Sequence, residues 1–135
     1  MVSNETVLGL MKDGKLDLNK LEQLAGDNDG NPVTVSEWRA CYNPNTPYMQ
    51  IYCKVTADNP NNPITSINVY ISPANGNTVF AAQSSGGFST NEFDANVGTA
   101  LYVPSMGANL LCVVMGGTEN GAGFVFNQSL TIGPC

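Results

Sequence analysis

The side chains that perform most enzymatic catalysis are sparse in this sequence. It contains no histidine, which removes the Ser-His-Asp and Cys-His arrangements that activate a nucleophile. Glu92 and Asp94 are two residues apart and are the candidate carboxylate pair for glycoside hydrolysis. Nothing around them indicates burial, so we interpret both as solvated turn residues. The sequence therefore predicts a protein that is not an enzyme.

The next candidates for chemistry are the four cysteines, Cys41, Cys53, Cys112 and Cys135. Their scattered separations, without CxxC spacing, disfavour a zinc site. A hairpin centred on Asn45 places Cys41 opposite Met49, so a Cys41–Cys53 bridge would exceed the limit of about 7 Å on Cα separation. Other disulfide pairings, and four buried free thiols in a reducing compartment, remain open.

A short acidic segment is the candidate metal site. Asp27, Asp29 and Asn31 place oxygen ligands at alternate positions, as the opening of an EF-hand calcium loop does. Pro32 then stands where such a loop needs glycine, and Trp38 stands where it needs a bidentate glutamate. Calcium is the only cofactor hypothesis that the sequence offers. The alternative is a helix stop built from Asx turns.

Aromatic residues with polar tips are the candidate ligand-binding side chains. Tyr52 and Tyr70 both fall on the outward positions of adjacent predicted strands, and Trp38 is the only tryptophan. Together they are candidates for an exposed aromatic platform of the kind that carbohydrate-binding modules use. The alternative is ordinary cross-strand packing.

The stretch from residue 48 to 72 sets the architecture that would position these side chains. Apolar and polar residues alternate over 49–57, which is the pattern of a half-buried β-strand. Residues 58–63 are only Asp, Asn and Pro, which form turns, and a second alternating run follows at 67–71. One further strand is predicted to begin at Val33, and others are predicted over 78–83, 99–103, 109–115, 123–127 and 129–132. Seven or eight short strands at this spacing predict an antiparallel sandwich or barrel.

Residues 1–32 read as a helical leader and a linker loop, and residues 33–135 as the β-domain. One helix is predicted over 3–11 with Ser3 as N-cap, and another over 18–25 between an Asp17 cap and Gly26. Isolated helices this short are not stable in water, so they must dock on the β-domain or on a partner. The candidate docking residues are apolar: Leu10, Met11, Leu18, Leu21 and Leu24.

Two runs in the β-domain resemble a known family. QIYCKVTADNPNNPITSINVYI is similar to the B-strand, turn and C-strand of bacterial and phage immunoglobulin-like domains, and LLCVVMGGTENGAGFVFNQSLTI to their final two strands. The resemblance implies an immunoglobulin-like β-sandwich whose sheets are bridged by Cys53 and Cys112, which leaves Cys41 to pair with Cys135. The third strand lacks the tryptophan of antibody-type domains. Such domains mostly bind, space or decorate.

The net charge and the positions of the basic residues exclude some classes of binding partner. The net charge is −6, and no Lys or Arg follows Lys54, which argues against nucleic acid and anionic membranes. No apolar run approaches a membrane span and no signal peptide is visible. We therefore expect a non-catalytic structural module of a surface assembly, such as a virion decoration or an extracellular appendage. Its leader would dock it on a protein partner or on a second copy. The alternative is a secreted glycan- or ligand-binding module that uses exposed tyrosines and Gly-rich loops.

Overall fold

The computed structural model describes residues 2–3, 9–27, 31–43, 45, 48–74, 79, 81–97 and 109–135. Most of these residues lie in β-strands, and no helix among them is long and apolar enough to cross a membrane. In chain order the elements are β1 (Val2–Ser3), β2 (Met11–Lys12), β3 (Lys15–Leu16), α1 (Leu18–Asp27), β4 (Val33–Tyr42), β5 (Met49–Ala57), β6 (Ile64–Pro73), β7 (Ala81–Thr90), β8 (Glu92–Val97), β9 (Asn109–Thr118), β10 (Ala122–Thr131) and β11 (Gly133–Pro134).

Two sheets form a sandwich. One has the strand order β1-β10-β9-β6-β7 and the other the order β11-β4-β5-β8. All pairs in them are antiparallel except β11 with β4, where Gly133 lies beside Cys41. The chain crosses from one sheet to the other between β5 and β6. This arrangement confirms the predicted immunoglobulin-like β-sandwich with a short helix near the N-terminus.

The core follows from the alternation along the strands. In β5 every second residue is buried, from Met49 through Cys53 to Ala57, while the residues between them are more exposed. The facing side of β6 contributes Ile67, Val69 and Ile71 to the same apolar cluster. Burying each such aliphatic side chain stabilises the fold by about 1.5–3 kcal/mol. The middle of the sandwich is therefore the main source of its stability.

Several predicted strands need correction. The strand expected at 78–83 is β7, which runs over Ala81–Thr90, and the strands expected at 123–127 and 129–132 are the single strand β10. Strand β8 was not predicted, because Glu92, Asp94 and Asn96 made it read as a loop. The predicted strand at 99–103 lies outside the described residues.

The glycine-rich segment 116–123 forms part of a hairpin. Gly116 is buried in β9, where an added Cβ would lie 2.0 Å from the Ser66 carbonyl oxygen. The connection itself is a tight turn in which the Gly121 N–H donates to the Thr118 carbonyl at 3.0 Å and Gly121 has φ +88°. A left-handed glycine after two turn residues is a common three-residue hairpin connection. The segment is therefore a packed strand end and a short turn.

Among its described residues, the leader contains one of the two predicted helices. Helix α1 confirms the second, and its N-terminus is capped by the Asp17 carboxylate, which accepts from the Lys20 N–H at 3.1 Å. The helix predicted over 3–11 is wrong at both described ends, because Val2–Ser3 and Met11–Lys12 are strands. Asp13 and Gly14 have φ values of +54° and +76°, which closes a hairpin between β2 and β3 in the way that primed turns do.

The leader packs against the sandwich. Leu10, Leu16 and Leu21 form a second apolar cluster with Val113, Met115 and Val125. These last three residues lie on the side of β9 and β10 that faces away from the sandwich core. The leader therefore covers the outer face of the five-stranded sheet.

Candidate functional site

The outer face of the four-stranded sheet carries an ordered cluster of polar and aromatic side chains. Tyr52 is its centre: the Arg39 guanidinium lies 4.4 Å from the Tyr52 ring centroid, and the phenol donates to the Asp94 carboxylate at 2.6 Å. Beside it, the Lys54 ammonium lies 3.2 Å from the Glu37 carboxylate. We call this surface the Tyr52 face, and it comprises Glu37, Arg39, Tyr48, Tyr52, Lys54 and Asp94.

Sheet register brings these residues together. Tyr52 pairs with Arg39 of β4 on one side and with Asn96 of β8 on the other. Asp94 pairs with Lys54 and so lies diagonally across from Tyr52, a separation that long side chains can span. Three strands far apart in sequence therefore supply one contiguous surface.

A β-bulge in β4 determines how Glu37 and Arg39 are oriented on the Tyr52 face. Ser36 pairs with Lys54 and Arg39 pairs with Tyr52, so two residues of β4 oppose one of β5. Glu37 has φ +56° there, a left-handed conformation that a bulge accommodates. The extra residue reverses the alternation beyond it. Arg39 consequently takes the outer position that strict alternation would give to Trp38.

Hydrogen bonding on the Tyr52 face shifts two titrating groups. The pKa of Tyr52 is raised, first by its hydrogen bond to the Asp94 carboxylate and also by burial and by the charge of that group. The pKa of Lys54 is raised mainly by its hydrogen bond to Glu37. The face is solvent-exposed, so neither interaction is a large source of stability. Near neutral pH the phenol remains a donor and the ammonium remains charged.

Trp38 does not join the predicted aromatic platform. It is only partly exposed and packs against the sandwich core. The bulge at Glu37 is the cause, because it turns Trp38 inward. Strict period-two counting cannot detect such an insertion.

Tyr70 and Tyr52 also do not form a shared platform. Tyr70 lies on β6 and packs partly buried against the leader cluster. Because β5 and β6 belong to different sheets, their outward residues lie on opposite sides of the sandwich. The prediction treated the two strands as neighbours in one sheet and is wrong on this point.

Sequence reasoning missed Tyr48 as a member of the face. Its side chain is 53% exposed, and alternation with the buried Met49 and Ile51 places it on the same side of the sheet as Tyr52. Four strand residues separate positions by about 13 Å. The sequence signal for Tyr48 is that positions 48 and 52 have the same parity along one strand.

The cysteines divide into one disulfide and two thiols. Cys41 and Cys135 are bonded, with a Cα separation of 4.9 Å, which confirms that pairing. Cys41 stands opposite Gln50 rather than Met49, because the connection between β4 and β5 closes with the Asn43 N–H donating to the Tyr48 carbonyl.

The predicted Cys53–Cys112 disulfide is not formed, although both residues lie in the main core on facing sheets. Burial raises the pKa of the Cys53 thiol to about 12 and also raises that of Cys112. A thiol reacts as its thiolate, so burial makes both sulfurs unreactive. They pack as small apolar side chains.

The candidate docking residues of the leader are largely occupied by the chain's own sheet. Leu10 and Leu21 are 0% and 2% exposed, and Met11 and Leu24 pack partly buried beside them. Leu18 is the exception at 38% exposed. The prediction that these five residues contact a partner is therefore wrong for the buried ones, because the apolar outer face of β9 and β10 receives them.

Most of the candidate calcium site lies outside the described residues. Asp29 lies outside the described residues, as does the side chain of Asp27, and Asn31 alone is described. In the part of the chain that is described, no group of three or more acidic, Cys or His side chains is placed to hold a metal. Glu92 and Asp94 share the outer side of β8, where both are exposed.

Comparisons with known proteins find partial matches of low identity among solved structures. No family model and no curated protein matches the chain. A β-glucosidase structure from Listeria innocua, in complex with isofagomine, aligns with 75% of this chain at 10% identity and a TM-score of 0.42. A β-glucosidase structure from Streptomyces venezuelae, in complex with D-glucose, aligns with 70% at 8% identity and a TM-score of 0.40. The chain spans only 16% and 14% of those two proteins.

Proposed function

We propose that this chain is a non-catalytic structural module of an extracellular or virion surface assembly, of the bacterial and phage immunoglobulin-like type. It contacts a neighbouring protein through the Tyr52 face. The observation that carries the proposal is the Arg39–Tyr52–Asp94 arrangement, an exposed cluster whose members are held by contacts at 4.4 and 2.6 Å.

The composition of this face suits protein recognition. Tyrosine and arginine are enriched among the residues that dominate protein interfaces. Because each side chain of the cluster already has an ordered partner, less side-chain entropy is lost on binding. The Arg39 group also lies over the Tyr52 ring, so that a flat protein surface fits the cluster better than a sugar stacked on that side.

The placement of the leader supports the same surface. The leader covers the outer side of β9 and β10 with Leu10 and Leu21. The outer side of the four-stranded sheet carries charged and polar residues instead. We therefore place docking on the Tyr52 face and assign the leader to stabilising the module.

The disulfide supports the location. Cys41–Cys135 joins strands of one sheet edge, and such bonds persist in oxidising surroundings. An extracellular or virion surface provides those conditions.

Site-specific photocrosslinking in the native assembly tests the proposal. A crosslinking amino acid replaces Gln50, which is exposed on the outer side of β5, and in a matched variant it replaces Gln128, which is exposed on β10. We expect a defined protein adduct at position 50 and none at position 128. Adducts at position 128 alone, or at neither position in an intact assembly, would contradict the proposal.

A glycan-binding module is the second candidate, and the shared side of Tyr48 and Tyr52 favours it. Two aromatic side chains about 13 Å apart on one strand face are spaced to contact separate sugar units. A glycan array probed with the purified chain tests this candidate. Binding that Tyr52→Ala and Tyr48→Ala each remove would support it, and an array without signal would eliminate it.

A further inference from the structure

Strand β7 forms one edge of the five-stranded sheet. It is the last strand in the order β1-β10-β9-β6-β7 and pairs on one side with β6. On its other side it pairs with no strand of the described residues. A row of unpaired backbone N–H and C=O groups is a template for adding another strand. The edge is therefore a candidate interaction surface separate from the Tyr52 face.

The usual devices that protect an edge are mostly missing from β7. Proteins discourage strand addition with lysines, inward charges, prolines, bulges or short edge strands. Strand β7 is ten residues long, and its sequence AAQSSGGFST contains neither a charged residue nor a proline. Its bulge lies near Gly87, which has φ +75°, and residues 81–86 pair regularly with β6. Six residues of regular, uncharged edge, about 20 Å of strand, have no described strand beside them.

The other edges differ from β7 in length or charge. β8 carries Glu92 and Asp94, and β1 and β11 are two residues long. β10, which bears β1 at its Ala122–Gly123 end, also contacts helix α1 and β4. Among the described strands β7 is therefore the long edge without charge or cover.

The distribution of charge indicates which partner pairs with the β7 edge. The five strands of this sheet contain no Asp, Glu, Lys or Arg, although the chain carries a net charge of −6. Two copies of an acidic chain repel each other through their charged surfaces. That repulsion is least when they approach edge to edge at the uncharged sheet. In an antiparallel pairing about a two-fold axis, each β7 residue faces an uncharged residue of the other copy.

We propose that β7 pairs with β7 of a second copy of this chain and forms a dimer with one continuous sheet across both copies. The exposed side of the regular segment carries Ala82, Ser84 and Gly86, whose small side chains leave room for a neighbouring strand. Pairing along six residues buries less area than a permanent interface needs. The dimer therefore forms in a concentration-dependent way. This proposal does not depend on the proposed function, because it concerns a different surface.

Sedimentation of three proteins tests the proposal: the wild-type chain, Ser84→Lys and Ser129→Lys. Ser84 and Ser129 are both exposed and both lie in the five-stranded sheet, on β7 and β10, so the two variants change charge equally. A lysine at position 84 brings like charges together across the two-fold axis and blocks pairing. We expect wild-type and Ser129→Lys to dimerise and Ser84→Lys to remain monomeric, with at least a tenfold weaker association.

Each other outcome overturns the proposal. A wild-type chain that stays monomeric up to about 1 mM, equivalent to about −4 kcal/mol of binding, has no functional edge pairing. Dimers in all three proteins, or loss of the dimer in both variants, would show that β7 is not the contact. A dimer lost only in Ser129→Lys would place the contact on β10. If circular dichroism shows that Ser84→Lys is unfolded, Ala82→Lys takes its place in the same comparison.

Discussion

Removing the Cys41–Cys135 disulfide should lower stability by several kcal/mol. The bond closes a loop with a sequence separation of 94 residues. In the chain-entropy model a loop of about 100 residues is worth about 4.7 kcal/mol. Without the bond, β11 is held by a two-residue pairing with β4 and by the Cys135 N–H donating to the Tyr42 carbonyl at 2.9 Å. The double variant Cys41→Ser/Cys135→Ser should therefore lose about 4–5 kcal/mol of unfolding free energy.

Urea titration followed by tryptophan fluorescence measures this loss. Trp38 is the only tryptophan, and it lies on β4 three residues from Cys41. With a urea dependence of roughly 1–3 kcal/mol per molar, the midpoint should fall by roughly 1–5 M. Wild-type protein in a reducing agent should match the variant, and the agent should leave the variant unchanged. A midpoint shift below about 0.5 M would contradict this prediction, since closing the loop would then add almost nothing to the free energy of unfolding.

Three further predictions concern the core, the leader and pH. Gly116→Ala should cost about 3 kcal/mol because the new methyl group meets a backbone carbonyl of β6 at 2.0 Å. Gly133→Ala is the control, because Gly133 has open space around it. Equal urea midpoints for the two variants would contradict the prediction. Leu21→Ala should cost about 2–4 kcal/mol and Leu18→Ala less than about 1, since they are 2% and 38% exposed on one helix; thermal melts that rank them the other way would disprove the docked leader. The Cys53 pKa rises from 9.0 to about 12 on folding. The contribution of this shift to the free energy of unfolding is therefore complete below pH 9, and it is lost at up to about 1.4 kcal/mol per pH unit between pH 9 and pH 12. Urea midpoints of wild type and Cys53→Ala across that range check this, and parallel pH profiles would contradict it.

Alternation predicted the sandwich because β5 and β6, one strand from each sheet, each bury mainly one apolar side. The run 49–57 buries every second residue, so its period is visible without any tertiary information. Strand β8 escaped notice because its outward Glu92, Asp94 and Asn96 resemble loop residues when their buried partners Ala95 and Val97 are small. The region predicted as a helix at 3–11 has helix-compatible residues, but pairing of Val2–Ser3 with β10 is a long-range effect. Local propensity does not contain such information.

The site was only partly predictable for the same reason. Tyr52 was identified because its outward position follows from alternation within one strand. The separation of Tyr70 from it depends on the chain crossing to the other sheet, and the inward turn of Trp38 depends on a bulge at Glu37. Both features depend on tertiary packing of the core. Arg39 and Asp94 were likewise missed as partners of Tyr52, because register across three strands brings them together.

Tyrosine footprinting by mass spectrometry tests whether the Tyr52 face contacts a neighbouring protein. The free chain and the chain in its native assembly are treated with a tyrosine-modifying reagent, and the extent of modification is compared at Tyr48, Tyr52 and Tyr70. We expect Tyr48 and Tyr52 to lose most of their reactivity on assembly, while Tyr70, partly buried against the chain's own leader, reacts slowly in both samples. Equal modification of Tyr48 and Tyr52 in the free and assembled chains would contradict this expectation.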